Sequence, residues 1–187
     1  MGEILKTDEE ILRAFKQPDT QIKAYEWLLD GYQKRIYWHV RRIVISHDDA
    51  DDVSQNTLIK IWEHLHEFKG ESKLYTWIFR IATNEAIAFL NKKKNHLSLD
   101  DAAESLGKYL TPEGYFNGDE AALKLQQAIL QLPEKQRLVF NMKYFENIKY
   151  EDMSEILNTS VGALKASYHH ATQKIEQQLK NIKPLSI

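Results

Sequence analysis

The sequence predicts an all-α fold of two helical domains joined by a flexible acidic linker. Three observations carry this. Apolar residues recur at steps of three and four along most of the chain, the period of a helix with one buried face. No stretch shows the apolar–polar alternation of a half-buried strand strongly enough to compete. Charge is also divided by segment. Residues 1–30 carry net −3, 31–95 net +3, 96–120 net −5 and 121–187 net +3, so two mildly basic blocks flank an acidic one in a chain of only −2 overall. A polyanion senses the local patch rather than the total. The expected boundaries are 1–95 for the first domain, 96–120 for the linker and 121–187 for the second domain.

The first helix is announced by a capping box, Thr7 and Glu10, ahead of Ile11, Leu12 and Phe15. Pro18-Asp19 breaks the pattern. A longer helix follows from about Thr20 to Ile45, with Ala24, Trp27, Leu28, Tyr32, Ile36, Val40 and Ile43 inward. A third begins near Asp51, where carboxylates suit an N-terminus, and its core face is Leu58, Ile61, Trp62 and Leu65. Beside that face runs a second stripe, Asp52, Asn56, Ile59 and Glu63, bordered by Gln55 and Lys60. One apolar residue among hydrogen-bonding groups suits docking on another helix. Taken alone, it reads as an ordinary solvated face carrying a single isoleucine. A fourth helix covers about Lys73 to Asn91, with Trp77 as a core residue, and ends in Lys92-Lys93-Lys94.

Residues 96–120 contain Gly107, Pro112, Gly114 and Gly118 and show no sustained period. A flexible peptide of this length spans about 25–30 Å on average, so the domains it joins could reach separate places on a larger partner. The plainer reading is a solvated loop.

The C-terminal block reads as a helix-turn-helix. A short helix from Tyr150 to Leu157 carries Met153, Ile156 and Leu157 at core spacing, and Asn158-Thr159-Ser160 makes the turn. Ser160 can cap the next helix by accepting from its free amides. Val161, Leu164, Tyr168, Ala171, Ile175 and Leu179 form one apolar stripe of that helix. Gly162, Ala166, His169, His170 and Gln173 point the other way. Small and hydrogen-bonding residues there suit a helix that approaches base edges in a DNA groove. The alternative is a plain helical hairpin.

Other chemistry is poorly supported. The chain has no cysteine, which excludes disulfides, thiolate metal sites and cysteine nucleophiles. Its N-terminus, MGEILKTDEE, is acidic and lacks the apolar core of a signal peptide. No run of about 18 apolar residues is present, so no membrane insertion and a cytoplasmic location are expected. His64 and His66 stand two apart on a helix and diverge. His64 with Glu67, or His66 with Glu63, is better spaced, but without a third convergent ligand no metal site is expected. No nucleophile elbow, phosphate loop or paired-carboxylate motif appears. Neither a cofactor nor an enzymatic activity is therefore expected.

Two blocks carry a family resemblance. DDADDVSQNTLIKIWEHLHEFKGESKLYTWIFRIATNEAI, residues 48–87, resembles region 2 of bacterial RNA polymerase sigma factors of the extracytoplasmic-function (ECF) type in the sigma-70 family. LPEKQRLVFNMKYFENIKYEDMSEILNTSVGALKASYHHA, residues 132–171, resembles their region 4. The resemblance implies a dissociable subunit that directs promoter recognition and transcription initiation. Its implied partners are core RNA polymerase (the β′ clamp coiled coil and the β flap), promoter DNA and, in regulated members, an anti-sigma factor. The family's Asp-x-x-Gln falls on Asp52 and Gln55, so Asp51, Asp52, Gln55, Asn56 and Ile59 are the implied polymerase contacts. Asn56 stands where relatives usually carry Glu.

The loop His66 to Ser72 and the helix after it would hold the −10 element as melted single strand. Cations are needed for its backbone, and aromatic or polar groups for its unstacked bases. Lys69, Ser72, Lys73, Tyr75, Arg80, Asn84 and Lys92 are the candidates, with Ala88 and Asn91 replacing an Asp and an Arg common in relatives. For the −35 duplex the candidates are Ser160, Gly162, Lys165, Ala166, Ser167, His169 and His170. Arginines common in relatives are Ser167, His170 and Thr172 here, so duplex affinity without polymerase should be low. The alternative function is a stand-alone helix-turn-helix regulator; a metal-dependent hydrolase built on His64 and His66 is a weaker third.

Overall fold

The structure, a computed structural model, describes residues 6–96 and 120–181. It divides into two compact units, Met1–Lys92 and Lys93–Ile187. The described residues form eight α-helices, numbered here in chain order, and no strand. The expected linker lies outside the described residues, apart from its two end positions, which close one helix and open the next.

In the first unit, α1 (Asp8–Phe15) starts at the expected capping box. Thr7 Oγ1 accepts from the Glu10 amide at 3.2 Å, and Glu10 Oε2 accepts from the Thr7 amide at 2.9 Å. The latter bond holds the Glu10 carboxyl below its ordinary pKa. Ile11 and Phe15 are buried. Tyr32 of α2 (Gln21–Val44) reaches back and donates to Asp8 Oδ1 at 2.6 Å. Along α2 the buried line is Ala24, Leu28, Tyr32, Ile36, His39, Val40, Ile43 and Val44. Trp27, expected inward, is only half-buried, and its ring carries the ammonium groups of Lys6 at 5.2 Å and Lys23 at 5.8 Å. Such side chains pack their stems on an aromatic while keeping the charge wet.

The link to α3 is tight. Ile45 takes φ 72°, ψ −43°, and the Ser46 amide donates to the Val44 carbonyl at 2.9 Å, a strained γ-turn for a β-branched residue. Ser46 then caps α3 (His47–His64) by accepting from the Asp49 amide at 3.4 Å. The helix therefore starts about one turn before the expected Asp51, with Asp48 and Asp49 in its first turn.

The core face of α3 also differs. Ala50, Val53, Ser54, Thr57, Ile61 and the following Leu65 are buried, whereas Leu58 is half-buried and Trp62 is 36% exposed. Burial of Thr57 is possible because its hydroxyl donates to the Val53 carbonyl at 2.7 Å. Small residues on this line let α3 lie close to α2. Trp62 instead closes the seam at its edge, meeting Phe15 at 5.5 Å and Tyr25 at 5.0 Å edge to face, while Tyr25 donates to the Leu58 carbonyl at 2.7 Å.

After a short 3-10 turn, Leu65–Glu67, the chain bends through Gly70 at φ 75°, a conformation that favours glycine. It then enters α4 (Leu74–His96), which runs five residues past the expected end at Asn91. Lys92, Lys93 and Lys94 continue the helix near its C-terminus, where cations suit the helix dipole. Leu74, Thr76, Ile78, Phe79, Ala82, Thr83 and Ala86 are buried. A polar pin fixes α4 on α2: Thr83 donates to the Phe79 carbonyl at 2.7 Å, so His39 Nε2, 2.8 Å from Thr83 Oγ1, must be the donor in that contact.

The second unit comprises α5 (Glu120–Leu130), α6 (Glu134–Tyr144), α7 (Tyr150–Leu157) and α8 (Val161–Asn181). One core cluster is Ala128, Ile129, Leu132, Phe140, Ala171 and Ile175, with Leu125 and Tyr168 against it, and Met142, Met153, Ile156 and Leu164 are buried as well. The Phe140 ring stacks on Tyr144 at 5.2 Å and on Tyr168 at 5.7 Å. Arg137 donates to the Leu130 carbonyl at 3.4 Å, which satisfies the end of α5. Leu179, expected in the apolar stripe of α8, is 37% exposed because the packing partners end near Ile175.

Burial pushes the Tyr25 phenol up to about 12, and burial plus the bond to Asp8 raises Tyr32 further. The folded chain thus holds these protons where the unfolded chain releases them. Their stabilisation is fully present below about pH 10 and is lost as pH rises through about 12. Tyr25→Phe should lower stability at neutral pH by about 1 kcal/mol, through the lost bond. It should also flatten the fall in melting temperature above pH 10, as followed by circular dichroism.

Candidate functional site

On α3 the rotation just described carries Asp52, Gln55, Asn56 and Ile59 together onto one exposed face, at i, i+3, i+4 and i+7. Ile59 is 54% exposed. Asp51 stands at the margin, 3.7 Å from His47 Nε2. It also lines a groove of about 500 Å³ between α2 and α3 with Asp30, Lys34, Tyr37, Ser54 and Gln55. Across this groove the Tyr37 hydroxyl lies 2.7 Å from His47 Nδ1. Lys60, at the border of the face, is bound away to Glu85 of α4 at 2.6 Å. That leaves the face polar, acidic and apolar at once.

The candidates in the loop and α4 do not all converge. Arg80 and Asn84 share one side of α4, one turn apart, and Lys73 is the residue just before that helix. Asn84 is exposed and Arg80 half-buried. Lys69 and Ser72 lie in the loop just before α4, and Lys92 lies two turns beyond Asn84 toward the margin of that side. Tyr75 stands nine positions from Asn84, about two and a half turns, and so on the opposite side. Its ring meets Phe79 at 5.3 Å and the Arg35 guanidinium at 5.6 Å. Trp77, expected in the core, is half-buried against Phe68 at 5.5 Å and falls on the Arg80/Asn84 side at i−3 and i−7. The aromatic surface on that side is therefore Trp77 with Phe68, a pair that local sequence spacing does not announce.

In the second unit α7 has the expected bounds, α8 starts directly after the expected Ser160 cap, and Asn158 makes the turn in a left-handed conformation at φ 48°. Ser160 caps α8 by accepting from the Ala163 amide at 3.3 Å. Gly162, Lys165, Ala166, His169 and His170 are exposed, whereas Ser167 is half-buried. Lys165 extends over the Tyr150 ring at 5.8 Å, beside Lys143 at 5.2 Å. A Cβ built on Gly162 meets no heavy atom within 4 Å, so the fold itself does not require glycine there.

His64 and His66, expected to diverge, both reach Glu67, at 3.1 Å and 3.7 Å on its two carboxylate oxygens, because the helix gives way to a 3-10 turn between them. No group of three or more His, Cys, Asp or Glu residues that could hold a metal occurs among the described residues.

Comparison with known proteins is consistent across the chain. Residues 28–96 match the family model for sigma-70 region 2, and residues 122–175 match that for sigma-70 region 4. The ECF RNA polymerase sigma factor SigW of Bacillus subtilis is 31% identical over 169 residues, 85% of this chain and 90% of its own length. The chain belongs to the ECF sigma factors of the sigma-70 family. The ECF RNA polymerase sigma-E factor of Haemophilus influenzae is 30% identical over 184 residues, 93% of this chain and 96% of its own length.

Two solved structures share the fold. One is the sigma factor RpoE with the anti-sigma factor NepR from Bartonella quintana (TM-score 0.66, 21% identity, covering 86% of this chain and 99% of that one). The other is CnrH with the cytosolic domain of CnrY (TM-score 0.68, 18% identity, covering 94% and 99%). This sigma factor thus binds core RNA polymerase and directs promoter recognition and initiation; the reading as a stand-alone regulator falls. No helix among its described residues is long and apolar enough to cross a membrane.

Gly162→Ala tests whether the fold has a stake in that glycine. The substitution should leave the sigma factor as stable or raise its stability by about 0.5 kcal/mol, since alanine favours the helix and open space surrounds the site. Thermal melting of the purified chain checks this.

Proposed function

We propose that this sigma factor docks on the polymerase β′ clamp coiled coil through Asp52, Gln55, Asn56 and Ile59, with Asp51 at the rim. The observation that supports this reading is the exposed Ile59 within a polar stripe one helix long. An apolar contact ringed by hydrogen-bonding groups is the pattern of a helix that packs on another helix. The C-terminal unit adds a second anchor on the β flap. The chain works in the cytoplasm as a specificity subunit without catalytic groups of its own. An anti-sigma factor is a further proposed partner, by analogy with the two solved relatives.

The melted −10 strand lies along Lys73, Trp77, Arg80 and Asn84, reached from the loop by Lys69 and Ser72 and continued toward Lys92. Trp77 and Phe68 supply the stacking surface on that side, and Tyr75 does not. Cations beside an aromatic and an amide match the needs of an unstacked strand. In the C-terminal unit, α8 enters the −35 major groove, with Gly162 and Ala166 allowing close approach and Lys165, His169 and His170 at its exposed surface. Ser160 and Ser167 flank them. Few cations on this helix keep its duplex affinity dependent on the polymerase.

Two experiments bear on this. Asp52→Arg should weaken capture of core polymerase by about tenfold while circular dichroism stays unchanged, because the position is exposed and off the core. Normal capture by the folded variant overturns the assignment. On a promoter selected from a genomic library by transcription with the reconstituted holoenzyme, Lys165→Ala should reduce −35 binding. Asn84→Ala should instead slow opening after binding. Permanganate reactivity of unpaired thymines separates the two, and normal opening by Asn84→Ala removes that residue from the site.

A further inference from the structure

The fourteen residues Gly31–Val44 of α2 carry Lys34, Arg35, Arg41 and Arg42 and no carboxylate, interleaved with Tyr32, Tyr37 and Trp38. Within this stretch Arg35 is placed unlike an ordinary surface cation. Its guanidinium carbon lies 5.5 Å from the Tyr32 ring centre, 5.6 Å from Tyr75 and 5.4 Å from Phe79. Three rings from two helices thus hold one planar cation. The side chain is nevertheless exposed, and among the described residues its N–H groups engage no carboxylate and no other acceptor. Trp38 and Arg42 follow at i+3 and i+7, so the same line of α2 offers an aromatic and a second cation.

The three surrounding rings restrict the guanidinium and leave its N–H groups for a partner. A planar, pre-organised fork of donors matches a phosphate, and little side-chain freedom remains to be lost on binding. Tyr75 is the second residue of α4, so Arg35 sits beside that helix's N-terminal turn, whose positive end favours an anion as well. The opposite side of α4 bears Trp77, Arg80 and Asn84. Arg35 is therefore a cation beside the start of α4 on its Tyr75 side.

We propose that Arg35, held over Tyr32, Tyr75 and Phe79, is a phosphate-binding residue for the melted promoter strand, at a position separate from the Arg80/Asn84 side of α4. The proposal rests on the reading that this unit holds the opened −10 strand and extends the strand's path onto α2. It also gives Tyr75 a role, as support for the cation rather than as a stacking platform for a base.

The test uses holoenzyme reconstituted from core polymerase and the full chain, on a pre-opened form of the promoter selected above. Single phosphates of the non-template strand are replaced one at a time by uncharged methylphosphonate. For the parent, one replacement near the −10 element should weaken binding about tenfold, and the same replacement should cost Arg35→Gln less than twofold. Arg35→Gln should also lower the slope of log affinity against log salt by about 0.7, the value for one contact to a single strand. Asn84→Ala should show the parent's response to that replacement, which separates failure of this proposal from failure of the α4 assignment. If Arg35→Gln does not fold, Arg35→Lys, which keeps the charge and loses the fork, should show an intermediate penalty. The proposal is overturned if no phosphate couples to residue 35, or if Arg35→Gln loses core polymerase binding instead.

Discussion

The rotational setting of α3 and α4 against α2 governs what the N-terminal unit can present. A helix has one set of positions for its core and another for its surface, and a turn of about 100° exchanges them. In α3 the setting is fixed by Ala50, Ser54 and Thr57, whose small or self-satisfied side chains let the helix seat closely, with Val53 and Ile61 filling the line. In α4 it is fixed by the bond from His39 to Thr83 inside an otherwise apolar interface. A buried polar pair of this kind costs desolvation unless it is satisfied in one geometry, so it discriminates against slipped arrangements. From these two settings follow the outward face of Asp52, Gln55, Asn56 and Ile59, and the division of α4 into an Arg80/Asn84 side and a Tyr75 side.

That dependence also explains how far the sequence could be read. Helix existence and order were legible from period alone, and the Thr7–Glu10 box and the Ser160 cap from residue type, because these are local features. The start of α3 was not, because four aspartates within five residues, Asp48, Asp49, Asp51 and Asp52, make several positions look like a first turn while the deciding cap is Ser46. Apolar spacing points to Leu58 and Trp62 as the core line of α3, whereas the buried line runs through Ala50, Val53, Ser54, Thr57 and Ile61. Burial of Thr57 depends on a bond to its own helix, and the edge position of Trp62 depends on Phe15 and Tyr25, which are remote in sequence.

The exposed stripe of Asp52, Gln55, Asn56 and Ile59 was legible as a pattern, and its reading as a docking face comes from the family resemblance. Tyr75 and Asn84 were grouped by composition, which carries no information about the side of the helix; counting turns separates them. Trp77 and Arg35 became visible only through contacts that cross elements, to Phe68 in the first case and to α4 in the second. The C-terminal unit was read more faithfully, since a helix-turn-helix is defined over a short stretch. Its departure at Leu179 reflects where the neighbouring helices stop.

The proposed contacts differ in kind. The α3 face is a compact patch with one apolar anchor, suited to a persistent protein partner. On the proposed reading α8 offers few cations to the −35 duplex, so its binding depends on the polymerase holding it near the promoter, an effect of local concentration rather than of affinity. A specificity subunit built this way engages promoters as part of the holoenzyme and not alone.

The most direct measurement is site-specific photo-crosslinking from a benzoylphenylalanine placed at position 59 in reconstituted holoenzyme. The side chain there already stands in solvent, so the probe perturbs little of the core. Capture of the β′ subunit is the result expected from the setting of α3. Capture of promoter DNA, or of no polymerase subunit in an assembled and active holoenzyme, would contradict it.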